Sequence, residues 1–326
     1  MRAMQLDKPG GTLQMVQLPT PVPQHGEALL EVAACGVCRT DLHIVDGDIR
    51  DGRYPLVLGH QIVGRVAACP DGSLQLGQRV GVPWLGSTCG HCDFCRMGQE
   101  NLCDAAQFTG YQRAGGFAEL AVADVGFCFP LPDSYPDLQV APLLCAGLIG
   151  YRALRMTAGA QRLGFYGFGN AAHILTQIAA WQGREVFAFT RPGDSDGQAF
   201  ARALGAAWAG DTDSPPPALL DAAIIFAPAG ELVPLALRTV RKGGAVICAG
   251  IHMSDIPSFP YAQLWGERSI KSVANLTRDD GTQLLELAPE VPVHTHVHEF
   301  ALEELPAALT AVRDGQISGA AVVSIS

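Results

Sequence analysis

Four cysteines between residues 89 and 103 constrain this chain more than any other feature. The stretch reads Cys-Gly-His-Cys-Asp-Phe-Cys-Arg-Met-Gly-Gln-Glu-Asn-Leu-Cys, so Cys89, Cys92, Cys95 and Cys103 follow C-x2-C-x2-C-x7-C. Two-residue gaps let a tight turn aim successive sulfurs at one point, and the longer gap brings the fourth back on a loop. Four thiolates close a tetrahedron around zinc and leave no position for a substrate, which makes such a site structural. An iron–sulfur cluster also takes four thiolates, and spacing alone leaves that alternative open. His91 lies inside the run, is surplus to a tetrahedral ion, and reads as solvated.

Composition supplies the setting. With 326 residues, two domains are expected. Hydrophobic residues make up 48% and charged ones 17%, a balance that folds and buries a core rather than staying disordered. The net charge of −10, with no run of Lys or Arg, argues against nucleic acid as a partner. The longest apolar stretches, Ala141–Ile149 and Ala222–Ala229, are too short to span a membrane. The N-terminus lacks an apolar signal core, so the expected location is cytoplasmic. Ten cysteines in that compartment point to metal ligation or catalysis rather than disulfides.

Upstream, Cys35-Gly-Val-Cys38-Arg39-Thr40-Asp41-Leu-His43 leads to Gly59-His60-Gln61-Ile-Val-Gly64. Beside the four-cysteine cluster, these segments resemble the zinc-dependent medium-chain alcohol dehydrogenases. That family carries G-V-C-H/R-T/S-D-x-H, then G-H-E-x-x-G, then a cysteine just before the cofactor domain. The resemblance covers essentially the whole chain. It implies Cys38, His60 and Cys145 (in Pro142-Leu-Leu-Cys-Ala-Gly) as ligands of a second, catalytic zinc. Two thiolates and one imidazole leave a fourth position for water or substrate, where zinc acts as a Lewis acid. Thr40 and His43 match the family's proton-relay positions, and a hydroxyl followed by an imidazole suits that task. Asp41 is expected to orient His60, and Trp84 with Leu85 to line the pocket. The bland reading of Cys35, Cys69, Cys128 and Cys248 is four ordinary thiols.

Two departures stand out. The family's Glu after the ligand His is Gln61, and its G-R-x-V-V near the C-terminus is Gly319-Ala320-Ala321-Val322-Val323. The second loses a cation that meets the cofactor pyrophosphate or a site carboxylate, which leaves Arg39 as the main candidate for the phosphates.

From about residue 160 the pattern alternates strand and helix. Arg162–Gly167 reads as a strand, followed by Gly167-Phe-Gly169-Asn170-Ala-Ala172 and a helix to about Gln182. G-x-G-x-x-A between strand and helix is the dinucleotide fingerprint: the glycines admit the pyrophosphate backbone and the helix N-terminus receives it. Further strands are expected at Glu185–Phe189, Asp221–Ala227, Gly244–Ala249 and Ser269–Ala274, with helices at Gln198–Leu204 and Leu232–Arg241. The second strand ends Phe189-Thr190-Arg191-Pro192, with no carboxylate before Asp194. A hydroxyl and a guanidinium there favour NADP(H) over NAD(H), since Arg pairs bidentately with phosphate. The alternatives are Arg191 stacked on adenine, or Asp194 folded back to the ribose. By resemblance, Gly250-Ile251 and Ser272–Leu276 approach the nicotinamide. His294, His296 and His298 alternate as if along one strand and are assigned no role.

The expected fold class is α/β. A β-rich, GroES-like catalytic domain spans 1–148 and 289–326, interrupted by a doubly wound Rossmann domain at 149–288 that re-crosses near Pro289–Pro292. The expected activity is hydride transfer between NAD(P) and a small primary or secondary alcohol, or its aldehyde or ketone. A polyol or aryl-alcohol dehydrogenase and a non-catalytic zinc- and nucleotide-binding protein are the alternatives. Family members are dimers or tetramers, so a homo-oligomer is expected.

Overall fold

The strand Glu27–Val37 buries alternate side chains at its start and all of Ala34–Val37 at its end. That is how a strand reads when one sheet face is wet at first and both faces are covered later. It pairs antiparallel with Ile62–Ala68, Leu120–Asp124 and Ala320–Ser324 at the centre of a seven-stranded sheet. Arg79–Val82 and Phe129–Pro130 extend the sheet on one side, and Val297–Ala301, parallel to Ala320–Ser324, on the other. The register sets Cys35 opposite Ile62. It therefore brings the Cys38 and His60 segments, distant in sequence, to the same end of a strand pair. Leu30, Leu58, Ile62, Phe117 and Val323 are fully buried beneath this sheet.

The computed structural model describes residues 1–49, 51–291 and 293–325, which form two compact units. The first comprises Met1–Cys145, Leu276–Pro289 and His294–Ser326, and the second Ala146–Asn275 with Glu290–Val293. Helix Arg278–Glu290, which the sequence reading gave to the cofactor half, groups almost wholly with the first unit. Its anchor is Glu100, only 4% exposed, whose Oε1 accepts the backbone N–H of Arg278 at 2.9 Å and its Nε–H at 3.2 Å. Pro292, in the expected re-crossing, lies outside the described residues.

The second unit is a six-stranded, wholly parallel sheet, so the fold is α/β. Its order is Trp208–Asp211, Glu185–Thr190, Arg162–Tyr166, Leu220–Ile225, Val240–Cys248, Ser269–Ser272. In chain order this is 3-2-1-4-5-6, the doubly wound dinucleotide arrangement, whose switch point lies between Arg162–Tyr166 and Leu220–Ile225. The central strands are buried on both faces, as parallel strands are. Tyr166 stacks on Phe189 at 4.1 Å.

Three local readings differ. Trp208–Asp211 is a strand the sequence reading lacked, because Ala-Ala-Trp-Ala-Gly-Asp has no β-branched residue to mark it. The second-half helix begins at Ser195 because the Asp194 carboxylate caps it through the Gly197 N–H. The histidine trio does not share a strand: Val297–Ala301 contains only His298. No described helix is long and apolar enough to cross a membrane.

Candidate functional site

Helix Arg39–Asp46 starts on an unusual cap. Cys38 occupies the N-cap with its Sγ accepting the Thr40 N–H at 3.3 Å, while the Asp41 carboxylate accepts the Cys38 N–H at 2.9 Å. This is the reciprocal capping box with a thiol in place of a hydroxyl. It fixes Cys38, Thr40 and Asp41 together, and Asp41 has a second task. Its Oδ1 lies 3.2 Å from Nδ1 of His60, both side chains being fully buried.

His60 is delivered by Gly59, which has φ of +97°. A Cβ there would lie 2.8 Å from the Phe117 amide and 2.9 Å from the Cys35 sulfur, so glycine alone fits. Cys145 arrives from another direction, straight after the 3-10 turn Ala141–Leu144. Nε2 of His60 is 3.3 Å from the Cys38 sulfur, and the Cys145 sulfur 4.0 Å from it. All three donor atoms lie within 4.8 Å of one another. A tetrahedral zinc spaces two sulfurs by about 3.8 Å and sulfur from nitrogen by about 3.6 Å. The donor set therefore fits zinc, and Asp41 behind His60 is the expected outer partner.

Electrostatics agree with that fit. The Cys145 thiol hydrogen-bonds toward Cys38 and holds it well below the ordinary cysteine range, while Cys145 itself is driven well up. Burial opposes a charged His60, but Asp41 and the Cys38 sulfur outweigh it and raise the ring to about 10. Metal binding displaces such protons, so loading weakens as pH falls. Gln61 is 1% exposed, and neither amide atom has a hydrogen-bond partner among the described residues. Gly36 makes its room: a Cβ there would lie 2.6 Å from the amide carbon.

Cys89, Cys92, Cys95 and Cys103 converge in the same way, with all four sulfurs within 4.8 Å and Cys89 3.9 Å from Cys95. Backbone N–H groups of His91 and Cys92 draw the Cys89 thiol down to about 6. The Cys103 sulfur accepts the Cys89 N–H at 3.4 Å. Such N–H···S bonds favour thiolates before any metal arrives. His91 is exposed, its Nδ1 within 2.7 Å of the Cys89 carbonyl, and is not part of the cluster.

Around the first centre, Thr40 is buried and His43 sits one turn further along the same helix. Nδ1 of His43 lies 2.8 Å from the carboxylate of Asp48, a residue the sequence reading did not single out. Arg39, at the start of the helix, is exposed. Trp84 meets the His60 ring edge-on at 5.1 Å and is itself stacked on Phe108 at 5.0 Å and Tyr111 at 5.9 Å.

In the second unit, Gly167 has φ of +90°, and a Cβ there would meet Ala227 at 2.9 Å. Helix Asn170–Trp181 follows with Gly169 as N-cap and no side-chain cap, while a Cβ on Gly169 would meet open space. Its first N–H groups have no intrahelical acceptor, and they form a cradle for an anion. The buried Oδ1 of Asn170 has no hydrogen-bond partner among the described residues, and Ala172 is fully buried, allowing close packing. This loop fits a dinucleotide pyrophosphate. At the end of Glu185–Thr190, the Thr190 hydroxyl is buried and bonded internally, donating to the Arg191 carbonyl at 3.2 Å and accepting from Gln198 at 3.2 Å. Asp194 is engaged in its cap, and Arg191 is exposed. Gly250 and Ile251 follow the strand Val240–Cys248, with Ile251 on the surface.

A Cys-His-Cys donor set that fits a metal in the β-rich unit, and a six-stranded dinucleotide fold in the other unit, together define the dehydrogenase class. Residues 24–133 match the alcohol dehydrogenase GroES-like domain. Over its full length the chain is 43% identical to a probable alcohol dehydrogenase AdhA of Mycobacterium tuberculosis (strain CDC 1551 / Oshkosh), covering 97% of that protein. It is 33% identical to an alcohol dehydrogenase of Geobacillus stearothermophilus, with each chain fully covered. The solved structure of acetophenone reductase from Geotrichum candidum NBRC 4597 in complex with NAD superposes with a TM-score of 0.89 at 26% identity, over 99% of this chain and 97% of that one. The chain belongs to the zinc-dependent medium-chain alcohol dehydrogenase family. It is an alcohol oxidoreductase, and the non-catalytic alternative falls away.

The two candidate metal sites separate by mutation. Gly59→Ala forces a left-handed residue worth roughly 1–2 kcal/mol of strain, plus the clash, onto the His60 support. It should lower zinc from two ions to one per chain while sparing the four-cysteine site. Cys92→Ser should lose the other ion and reduce the melting temperature by on the order of 10 °C. Metal analysis and thermal melts check both.

Proposed function

We propose that Cys38, His60 and Cys145 hold the catalytic zinc of an NADP(H)-preferring dehydrogenase of small alcohols, and that Cys89, Cys92, Cys95 and Cys103 hold a structural one. The observation that carries this reading is the convergence of three donors from a helix cap, a glycine turn and a 3-10 turn to within 4.8 Å. When bound there, zinc supplies Lewis-acid chemistry toward an alcohol or carbonyl oxygen. The chain's own residues supply the rest. Thr40, locked beside Cys38 by its N–H, offers a hydroxyl that both accepts and donates a proton. His43, 14% exposed at its side chain, receives that proton and hands it toward water. Asp41 keeps the His60 ring turned so that Nε2 faces the ligand sulfur.

Trp84 supports the preference for small alcohols. Two aromatic stacks and the edge contact with His60 leave it little freedom to swing aside for a bulky substrate. Ethanol and propanol should therefore turn over with higher kcat/KM than benzyl alcohol or sorbitol, read from nicotinamide absorbance. His60→Ala should abolish both the catalytic zinc and turnover. Equal rates across the panel would sink the size argument, and full activity in His60→Ala would sink the mechanism.

The NADP(H) preference rests on Arg191 rather than Thr190, whose hydroxyl is engaged inside the unit. Asp194, the nearest carboxylate along the chain, accepts the Gly197 N–H as a helix cap, which weighs against the ribose-binding alternative its sequence position suggested. Phosphate contacts from Gly167, Gly169, Asn170 and the helix N-terminus, with Gly250-Ile251 toward the nicotinamide, complete the reading. Arg191→Ala should reduce kcat/KM for NADP(H) by about tenfold, one charge-assisted pair, and leave NAD(H) nearly unchanged. A wild-type preference for NAD(H) would overturn it.

A homodimer or homotetramer accompanies this reading. The outer edge of Ser269–Ser272 ends its sheet, and Tyr261 and Trp265 nearby in sequence are 71% and 60% exposed. Sedimentation should give two or four times the chain mass of 34.4 kDa, and a monomer would refute the assembly.

A further inference from the structure

We propose that Asp48 is a positioning residue for the relay: it holds His43 in the Nδ1–H tautomer, so that Nε2 is the nitrogen that accepts the proton. The inference rests on the relay reading above and adds to it a residue and an atom.

The geometry is built by the end of the helix. Gly47, at φ of +82°, closes Arg39–Asp46 in a left-handed turn, its N–H reaching the carbonyls of His43 at 3.1 Å and Ile44 at 3.3 Å. A Cβ at this position would lie 3.0 Å from the Pro9 side chain, so the turn is shaped for glycine as well as strained for anything else. The next N–H, that of Asp48, also donates to the His43 carbonyl, at 2.9 Å. Asp48 is thus held to His43 by its backbone before its side chain is considered. Its Oδ2 then lies 2.8 Å from Nδ1 of the same residue. A carboxylate can only accept, so the hydrogen sits on Nδ1. In water a neutral imidazole carries its hydrogen mostly on Nε2. The carboxylate reverses that choice, and the tautomer of a working histidine is set by the bond its other nitrogen makes.

The proton balance is simple. The proton released by the alcohol moves through the Thr40 hydroxyl to Nε2, giving an imidazolium whose Nδ1–H stays on Asp48. The Nε2 proton later leaves to water, and Asp48, 42% exposed, remains a carboxylate throughout. Without Asp48, Nε2 carries the hydrogen and cannot accept one until the ring changes tautomer.

The test is long-range nitrogen-15 spectroscopy of histidine-labelled, zinc-loaded protein, with the His43 signals assigned by their loss in His43→Gln. Wild type and Asp48→Asn, whose amide oxygen still accepts from Nδ1, should show the Nδ1–H form, and Asp48→Ala the Nε2–H form. In parallel, kcat for alcohol oxidation should fall about tenfold in Asp48→Ala with KM little changed, and Asp48→Asn should recover most of it. The inference is overturned if Asp48→Ala keeps the Nδ1–H form. It is equally overturned if the tautomer moves and kcat does not, while His43→Gln is slow. Full activity in His43→Gln would instead strike the relay reading itself, and the inference with it.

Discussion

The capping box at the start of helix Arg39–Asp46 is the interaction on which the Cys38–His60–Cys145 cluster depends. One carboxylate, Asp41, accepts the Cys38 N–H and lies against the His60 ring, and one sulfur, Cys38, caps the helix and faces the other two donors. Ordinary capping contributes about 1 kcal/mol to a helix. Here the same bonds set the direction of two donors and the position of Thr40. The buried charges are balanced within the group, since Asp41 faces His60 and the Cys38 sulfur faces both His60 and Cys145. Removing Asp41 would leave the fully buried His60 without its carboxylate, which costs far more than the cap itself.

The second half solves a different problem. A dinucleotide needs an anion site and a reader of its ribose. In the proposed reading, the uncapped N-terminus of Asn170–Trp181 and the glycines before it serve the first. The same reading gives the ribose to the end of Glu185–Thr190, where internal bonds engage Thr190, Asp194 and Asp211. The carboxylate of Asp211 accepts from Gly193 and Gln198 at 3.1 and 2.8 Å. With those polar groups tied into the turn, Arg191 is left as an exposed cation at that tip.

Much of this was legible in the residues. The four-cysteine spacing states its own geometry, because sulfurs two residues apart on a turn can only converge. The parallel strands announce themselves as apolar runs separated by Gly, and the Gly167–Ala172 loop follows from strand, glycine and helix in order. Other features depend on long-range pairing and carry no local mark. Cys145 joins Cys38 and His60 only because a 3-10 turn ends beside them, and sequence could place it by resemblance alone. The Asp48–His43 pair spans a left-handed turn, outside the usual three- and four-residue helical spacing. Trp208–Asp211 is held as a strand by its neighbour Glu185–Thr190 rather than by its own composition. His294 and His296 alternate like strand residues, yet pairing with Ala320–Ser324 begins only at Val297.

Glu100 bears on how such a chain can be threaded at all. Between Cys145 and Leu276 the polypeptide leaves the first unit for about 130 residues, and its first helix on returning is grasped at Arg278 by a carboxylate from the four-cysteine loop. For an unstructured excursion, the entropy of bringing the two ends together grows only as the logarithm of its length, about 0.6 kcal/mol per doubling. An excursion that folds on its own avoids most even of that. The catalytic unit can therefore tolerate a large guest in its chain, provided the point of return is pinned. The four-cysteine loop acts here as a clasp on the topology: through Glu100 it pins the point where the chain re-enters the first unit.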